Sequence, residues 1–357
     1  MRFSAGLLLS ALLLACIHVG GTSFTIDSGC SVHLGLLSRS TKSLYQGLAG
    51  QMALHHISTQ NTALVTLPEG AVMCGSVTGD LRDTLGLPLE GIKAALDWQG
   101  SVDAIVGASK SSVSGPTSLA AQIFGVPVVS YASTSASLSN KVSYPMFHRT
   151  VPPDAIAASV MARMCAEFNF TRVGVIYLSD SYGSGYANDF TTAGSEFGVS
   201  VVTSSKYIPG DAGSIRSAVT GLADAQVRVI VCIAFSSDLQ GILDAAEEFG
   251  LLGSQGVSWI TPDGIGDPEG TFIATARDPE QARRQLSGWL SVYVRPLHGV
   301  AQQAFEAQGA AYRALNSSSV YGTPHADISV GWKGFDAYSS LAYDAVWLAA
   351  LSASKVK

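Results

Sequence analysis

Four short polar clusters carry residue types that bind small ions, and each follows an apolar run. Ala108-Ser109-Lys110-Ser111-Ser112 follows Val102 to Gly107, and Ser133-Thr134-Ser135 follows Val126 to Ala132. Ser179-Asp180-Ser181-Tyr182-Gly183 follows Val173 to Leu178, and Pro262-Asp263-Gly264 follows Val257 to Thr261. Asp154 stands just beyond Arg149-Thr150-Val151-Pro152-Pro153. The first two clusters offer hydroxyls and backbone amides, and Ser111 and Ser112 lead into a helix with Pro116 in its first turn, where proline is tolerated. Free amides and the positive end of a helix dipole suit a carboxylate. Asp154, Asp263 and the Tyr182 ring suit an ammonium group, by charge pairing and by cation–π contact. Any one of these residues reads as a turn former, since Ser, Asp and Gly end strands for local reasons. As a set they describe a site for a small zwitterion.

Catalytic patterns are largely missing. The chain has no GxSxG elbow, HExxH or P-loop. Gly183-Ser184-Gly185 lacks a third glycine, and Gly264-Ile265-Gly266 meets its next glycine one position late, so neither is a dinucleotide fingerprint. His55 and His56 are adjacent and face different ways on a helix, so they cannot clamp one metal. His148 reads as a structural residue near a lobe junction. No enzyme activity, cofactor or metal is expected.

The elements that position these clusters alternate along the chain. Strands are predicted at Val32 to Leu37, Ala63 to Leu67, Val102 to Gly107, Val126 to Ala132, Val173 to Leu178, Val199 to Ser204, Val227 to Phe235, Val257 to Thr261 and Trp289 to Val294. Helical stretches of about 10–15 residues separate most of them, which reads as βαβ units and parallel sheets. The series breaks at Arg149 to Pro153, giving two α/β lobes: 22–150 plus 288–357, and 151–287. Helices at Ala301 to Leu315 and Ser339 to Ser352 are assigned to the first. Open α/β sheets bind ligands outside the carboxyl ends of their strands, which is where the clusters fall.

The chain has 357 residues, 47% of them hydrophobic and only 13% charged, so a large core can form. A net charge of −6 with no basic cluster argues against nucleic acid. Arg2, the apolar Leu7 to Ile17 and the small Val19-Gly20-Gly21 predict an export signal over 1–21. Leu13-Leu14-Ala15-Cys16 also fits a lipoprotein cleavage box. Cys165 and Cys232 fall in apolar contexts and read as buried thiols, whereas Cys30 and Cys74 flank expected loops and are the pair available for a disulfide. Asn169-Phe170-Thr171 and Asn316-Ser317-Ser318 are glycosylation sequons.

The segments Val126 to Ser135, Leu138-Ser139-Asn140-Lys141 and Phe147 to Asp154 resemble the ligand-binding region of class C G-protein-coupled receptors, the metabotropic glutamate, GABA-B and calcium-sensing group. Leu341-Ala342-Tyr343-Asp344-Ala345-Val346-Trp347 is especially similar to the GABA-B branch. The resemblance runs from about residue 31 to 357 and is most specific between 102 and 265. It implies a type I periplasmic-binding-protein fold of two Rossmann-like lobes, C-terminally incomplete because the chain stops at Lys357, before the family's last return to lobe 2. It implies that Ser111, or Ser112 in the next register, and Thr134, with Ala132 and Ser133 beside it, hold the carboxylate of an α-amino acid. Asp154, Tyr182 and Asp263 match the ammonium-binding positions. Tyr338 falls where the glutamate receptors have lysine and the GABA-B subunit glutamate, a position that reads the distal group, which points away from glutamate and GABA as ligands. The expected function is thus an extracellular receptor domain that closes on an amino acid, with a dimer through lobe 1. The runner-up is a secreted or lipid-anchored solute-binding protein serving a transporter.

Overall fold

The computed structural model describes residues 24–39, 44–266, 272–273, 276–294, 297–315 and 335–357. The expected export signal, Cys16 and the Asn316 sequon lie outside them. Up to Arg149 the elements are β1 (Thr25–Ser38), α1 (Leu44–Ser58), β2 (Val72–Asp83), α2 (Pro88–Asp97), β3 (Ala104–Val106), α3 (Ser111–Ile123), β4 (Val128–Ser130) and β5 (Phe147–Arg149). There follow α4 (Asp154–Glu167), β6 (Arg172–Leu178), α5 (Ser181–Glu196), β7 (Ser200–Tyr207), α6 (Ala212–Asp224), β8 (Val229–Ile233), α7 (Leu239–Glu248), β9 (Ser258–Thr261), α8 (Pro279–Gln285) and β10 (Trp289–Ser291). Two helices complete the described chain, α9 (Gly299–Ala314) and α10 (Ser339–Ser354).

These elements form two compact units, one of Met1–Thr134, Leu138–Pro152 and Arg295–Lys357, the other of Ser135–Ser137 and Pro153–Val294. Each holds one five-stranded sheet, in the orders β2-β1-β3-β4-β5 and β10-β9-β8-β6-β7, with every pair parallel. The fold is α/β with two parallel sheets flanked by helices. Parallel sheets are covered on both faces, so inner strands are apolar throughout; all five residues of β8 are buried.

In the first unit the core is closed by α10. Its Tyr343, Val346 and Trp347 are fully buried with Leu34, Met52 and Leu54. Helices α1 and α9 meet it there: His56 Nδ1 lies 2.7 Å from the Tyr343 hydroxyl, and Phe305 packs edge-on to the Tyr343 ring. Burial, with His55 alongside, pushes the His56 imidazole down to about 4, so it stays neutral at ordinary pH. A helix this apolar on nearly all sides belongs inside a fold rather than on its surface.

Several expectations need correction. Ala63 to Leu67 is a turn followed by irregular chain, and the strand lies at Val72–Asp83. That strand is at the sheet edge, and Gly75-Ser76, Thr78 and Asp80 interrupt its apolar residues, so it carries no sustained apolar run. The other edge strand, Phe147–Arg149, is only three residues long, and its His148 and Arg149 are half-buried. Pro116 is interior to α3, which begins five residues earlier than its first-turn placement implies. Cys30 and Cys74 are not beside loops but in the adjacent strands β1 and β2, where they form a disulfide; Cys165 and Cys232 are buried free thiols. The strand at 289–291 pairs with β9 and so joins the second unit, moving the crossing from Gly288 to beyond Val294.

The disulfide joins residues 44 apart in sequence, and closing such a loop in the unfolded chain is worth about 2–4 kcal/mol. Replacing both Cys30 and Cys74 by serine is expected to lower the denaturant midpoint of the first unit correspondingly. An unchanged midpoint would contradict this.

Candidate functional site

In the first unit the candidate residues cluster where β3 and β4 end. The turn after β3 is anchored at Ala108 by three serine side chains. Its N–H donates to Ser114 Oγ at 2.9 Å, and its carbonyl accepts from Ser130 Oγ at 2.7 Å and Ser133 Oγ at 3.1 Å. Ser133 Oγ is also 2.8 Å from Ser114 Oγ, and the Ser133 N–H donates to Ser130 Oγ at 2.9 Å. The N–H and the hydroxyl of Ser133 are therefore both engaged in holding the turns together. Ala132 N–H reaches the same Ser130 hydroxyl at 3.3 Å.

That scaffold presents a helix start and a threonine. Ser111 is the first residue of α3 and is buried, and Ser112 beside it is half-buried. The preceding Lys110 gives no side-chain cap; its carbonyl accepts the N–H groups of Val113 at 3.0 Å and Ser114 at 2.9 Å. Thr134 is 5% exposed, and among the described residues its hydroxyl makes no hydrogen bond. Arg149 Nη1 donates to Ser133 O at 3.1 Å, holding the strand-end segment from behind. His148 is pushed down to about 4 by burial and by Lys141, so it is a neutral structural residue. Tyr338 precedes α10; its N–H donates to Asp336 Oδ1 at 3.1 Å, and its half-buried side chain shares no hydrogen bond with Ser111 or Thr134 among the described residues.

The second unit brings Tyr182 and Asp263 together. Tyr182 lies in the first turn of α5, where Asp180 Oδ1 accepts the N–H groups of Tyr182 and Gly183 at 2.9 Å each. This cap fixes the ring, which stacks on Phe235 with centroids 5.3 Å apart and meets Tyr186 edge-on at 6.0 Å. The Tyr182 hydroxyl donates to Asp263 Oδ1 at 3.4 Å. Two glycines permit the approach. A Cβ on Gly183 would lie 2.1 Å from Leu178 O, and one on Gly264 would lie 2.6 Å from Ala234 O and 2.8 Å from the Tyr182 hydroxyl. Asp154 opens α4 and is 2% exposed. Burial above all, then the charges of Asp263 and Asp154, pushes the phenols of Tyr182 and Tyr186 far up, so both remain neutral donors.

The arrangement therefore holds a carboxyl group, a phenol and two aromatic faces at one place, suited to a cation of ammonium size. Among the described residues no group of three metal-ligating side chains occurs. A separate cavity of about 320 Å³, lined by Thr261, Ile265, Ile273, Leu286, Trp289 and Ser291, includes none of Asp154, Tyr182 and Asp263. Phe235 and Tyr186 were not anticipated. Phe235 sits just past the carboxyl end of β8, so the rule that found Asp263 applies to it equally.

Burial pushes the Asp263 carboxyl from 3.8 up to about 6, against the opposing pull of a backbone amide and the Tyr182 hydroxyl. The fold thus favours the protonated acid: its contribution to stability is full below about pH 4 and is lost as the pH rises through 6. Asp263→Asn is expected to remove this pH dependence. The variant's melting temperature relative to the parent should rise between pH 4 and 6 and level off above. A flat difference across that range would contradict the buried-acid geometry.

Residues 48–357 match the family model described as the receptor family ligand binding region. The chain is 31% identical over 211 residues to metabotropic glutamate receptor-like protein E of Dictyostelium discoideum, a stretch covering 57% of this chain and 24% of that protein. It is 29% identical over 168 residues to human metabotropic glutamate receptor 8, covering 46% and 18% respectively, and equally so to the mouse protein. The chain thus spans about a quarter or less of the curated relatives it matches. Two parallel α/β units, with polar clusters at their strand ends and a family match over most of the length, lead to one assignment: the chain belongs to the family of receptor ligand-binding regions.

Proposed function

We propose that this chain is the extracellular ligand-binding region of a receptor, exported by residues 1–21, and that it takes a small zwitterion of the α-amino-acid type. The observation that carries this reading is the Asp263 carboxyl held against the Tyr182 hydroxyl beside stacked rings, with Asp154 close by. These groups receive the ligand's ammonium. Its carboxylate goes to Thr134 and to the amides and hydroxyls at Ser111 and Ser112, with Ala132 and Ser133 shaping the adjoining turn. Tyr338 faces the distal group of the ligand. Occupancy by such a ligand is the event the receptor signals. No covalent chemistry is proposed.

Calorimetric titration of the twenty amino acids at pH 7.5 tests the site. A charge-assisted hydrogen bond is worth about 1.5–3 kcal/mol, so Asp263→Asn is expected to weaken binding roughly tenfold to hundredfold without lowering the melting temperature of the free protein. Because the ammonium needs the ionised carboxylate, affinity of the parent should also fall as the pH drops below about 6. Unchanged affinity in the variant, or no amino acid bound, would sink the zwitterion reading while leaving the family intact.

We propose further that two copies of the chain pair through the first unit. Helices α2 and α3 pack on each other through Gly91, whose absent Cβ would meet Thr117 and Val113. Both helices leave large apolar side chains in water: Leu89 and Leu96 on α2, Leu119 and Ile123 on α3, with Leu85 and Leu87 just before them. Scattered apolar side chains are ordinary on a surface, but a group on two adjoining helices marks an interface. Sedimentation at micromolar concentration is expected to give a dimer for the parent and a monomer for Leu89→Glu/Ile123→Glu. A monomeric parent would overturn the pairing.

A further inference from the structure

The structure assigns Asn169 as an N-linked glycan acceptor on the second unit, an inference that rests on export of the chain. Asn169 follows α4 and carries a left-handed backbone, φ 57°. Its N–H donates to Ala166 O at 3.0 Å, and the next N–H, of Phe170, donates to Cys165 O at 2.7 Å. This pair of bonds closes the helix as a Schellman motif, in which asparagine is a regular substitute for glycine. The backbone of Asn169 is thereby fixed while its side chain is turned to water. It is exposed, and among the described residues its carboxamide makes no hydrogen bond.

The hydroxyl of Thr171, two positions on, completes the sequon and is also exposed. Among the described residues the Thr171 hydroxyl makes no hydrogen bond, while its carbonyl accepts from Ser200 N–H at 2.8 Å. Two phenylalanines flank the acceptor: Phe168, 54% exposed, and Phe170, with ring centroids 5.7 Å apart. An exposed aromatic face beside the acceptor offers the first sugar a surface for its C–H bonds, and the sugar in turn covers the ring. The turn lies at the amino end of β6, whereas Tyr182 follows that strand's carboxyl end. At about 3.3 Å per residue the strand separates them by roughly 20 Å, so a glycan here leaves the Tyr182–Asp263 site open.

The step is a group transfer. The Asn169 carboxamide nitrogen forms a bond to C1 of a sugar carried as a polyprenyl diphosphate oligosaccharide. The C1–oxygen bond to the diphosphate breaks, the lipid diphosphate leaves, and the amide proton passes to a base of the transferase. The Cys30–Cys74 disulfide belongs to the same oxidising route through which such a transferase meets its substrates.

The test is secretion of the chain with its own leader from a eukaryotic cell line, followed by enzymatic glycan removal in heavy-oxygen water and peptide mass spectrometry. The expected result is conversion of Asn169 to labelled aspartate, lost in Thr171→Ala and retained in Thr171→Ser, with the melting temperature of Thr171→Ala within about a degree of the enzymatically deglycosylated parent. An unmodified Asn169 in a chain cleaved of its leader overturns the acceptor. A chain that retains residues 1–21 and carries no glycan overturns it through the export reading, and the mass of the amino-terminal peptide tells the two failures apart. A glycan found on the Asn316 peptide alone likewise overturns the assignment.

Discussion

In both units every strand runs parallel to its neighbours, so each turn leading from a strand to the next helix emerges at the same edge of its sheet. That constraint gathers the candidate polar residues of each unit at one edge of its sheet. Residues far apart in sequence, such as Tyr182 and Asp263, meet because they follow strands β6 and β9, which flank β8 in one sheet. The same rule brings the start of α3 beside the Thr134 segment, since β3 and β4 are neighbours. Covered on both faces, the sheets spend their apolar residues on stability and leave the turns free for polar groups.

The two edges manage polarity differently. In the first unit, hydroxyls are largely consumed in fixing backbone: Ser114, Ser130 and Ser133 all converge on Ala108, and Thr134 remains available. In the second, burial weakens the acidity of the Asp263 carboxyl, against the pull of hydrogen bonds from a backbone amide and the Tyr182 hydroxyl. Burying such a group is costly unless something charged completes it.

Much of this was legible from residue order. Apolar runs marked the inner strands, and the polar residues after them marked the strand ends, including Thr134 and Asp263. What stayed hidden had physical causes. The edge strands β2 and β5 are only partly buried and lack the sustained apolar run of the inner strands. Ser130 and Ser114 look like any other serines until the turn they hold is known. Phe235 lies two residues past its strand and reads as core, although it forms the floor beneath Tyr182. Asp336, which accepts from Ser339 and Gln46 ahead of α10, depends on a contact between residues 290 apart in sequence. No local pattern encodes that.

The discontinuity of the first unit has a temporal consequence. Its core is closed by Tyr343 and Trp347 of α10, while the whole of Pro153–Val294 belongs to the other unit. During synthesis, the second unit's strands are complete and free to pair while the first unit still lacks its covering helix. At ribosomal speeds of about 5–20 residues per second, the intervening stretch takes on the order of ten seconds to emerge. For that interval the face of β1 carrying Leu34 and Leu36 has no lid and is open to misassociation. Assembly therefore runs from the inserted unit outward, and the interval before α10 arrives is where a nascent chain of this design depends most on chaperones.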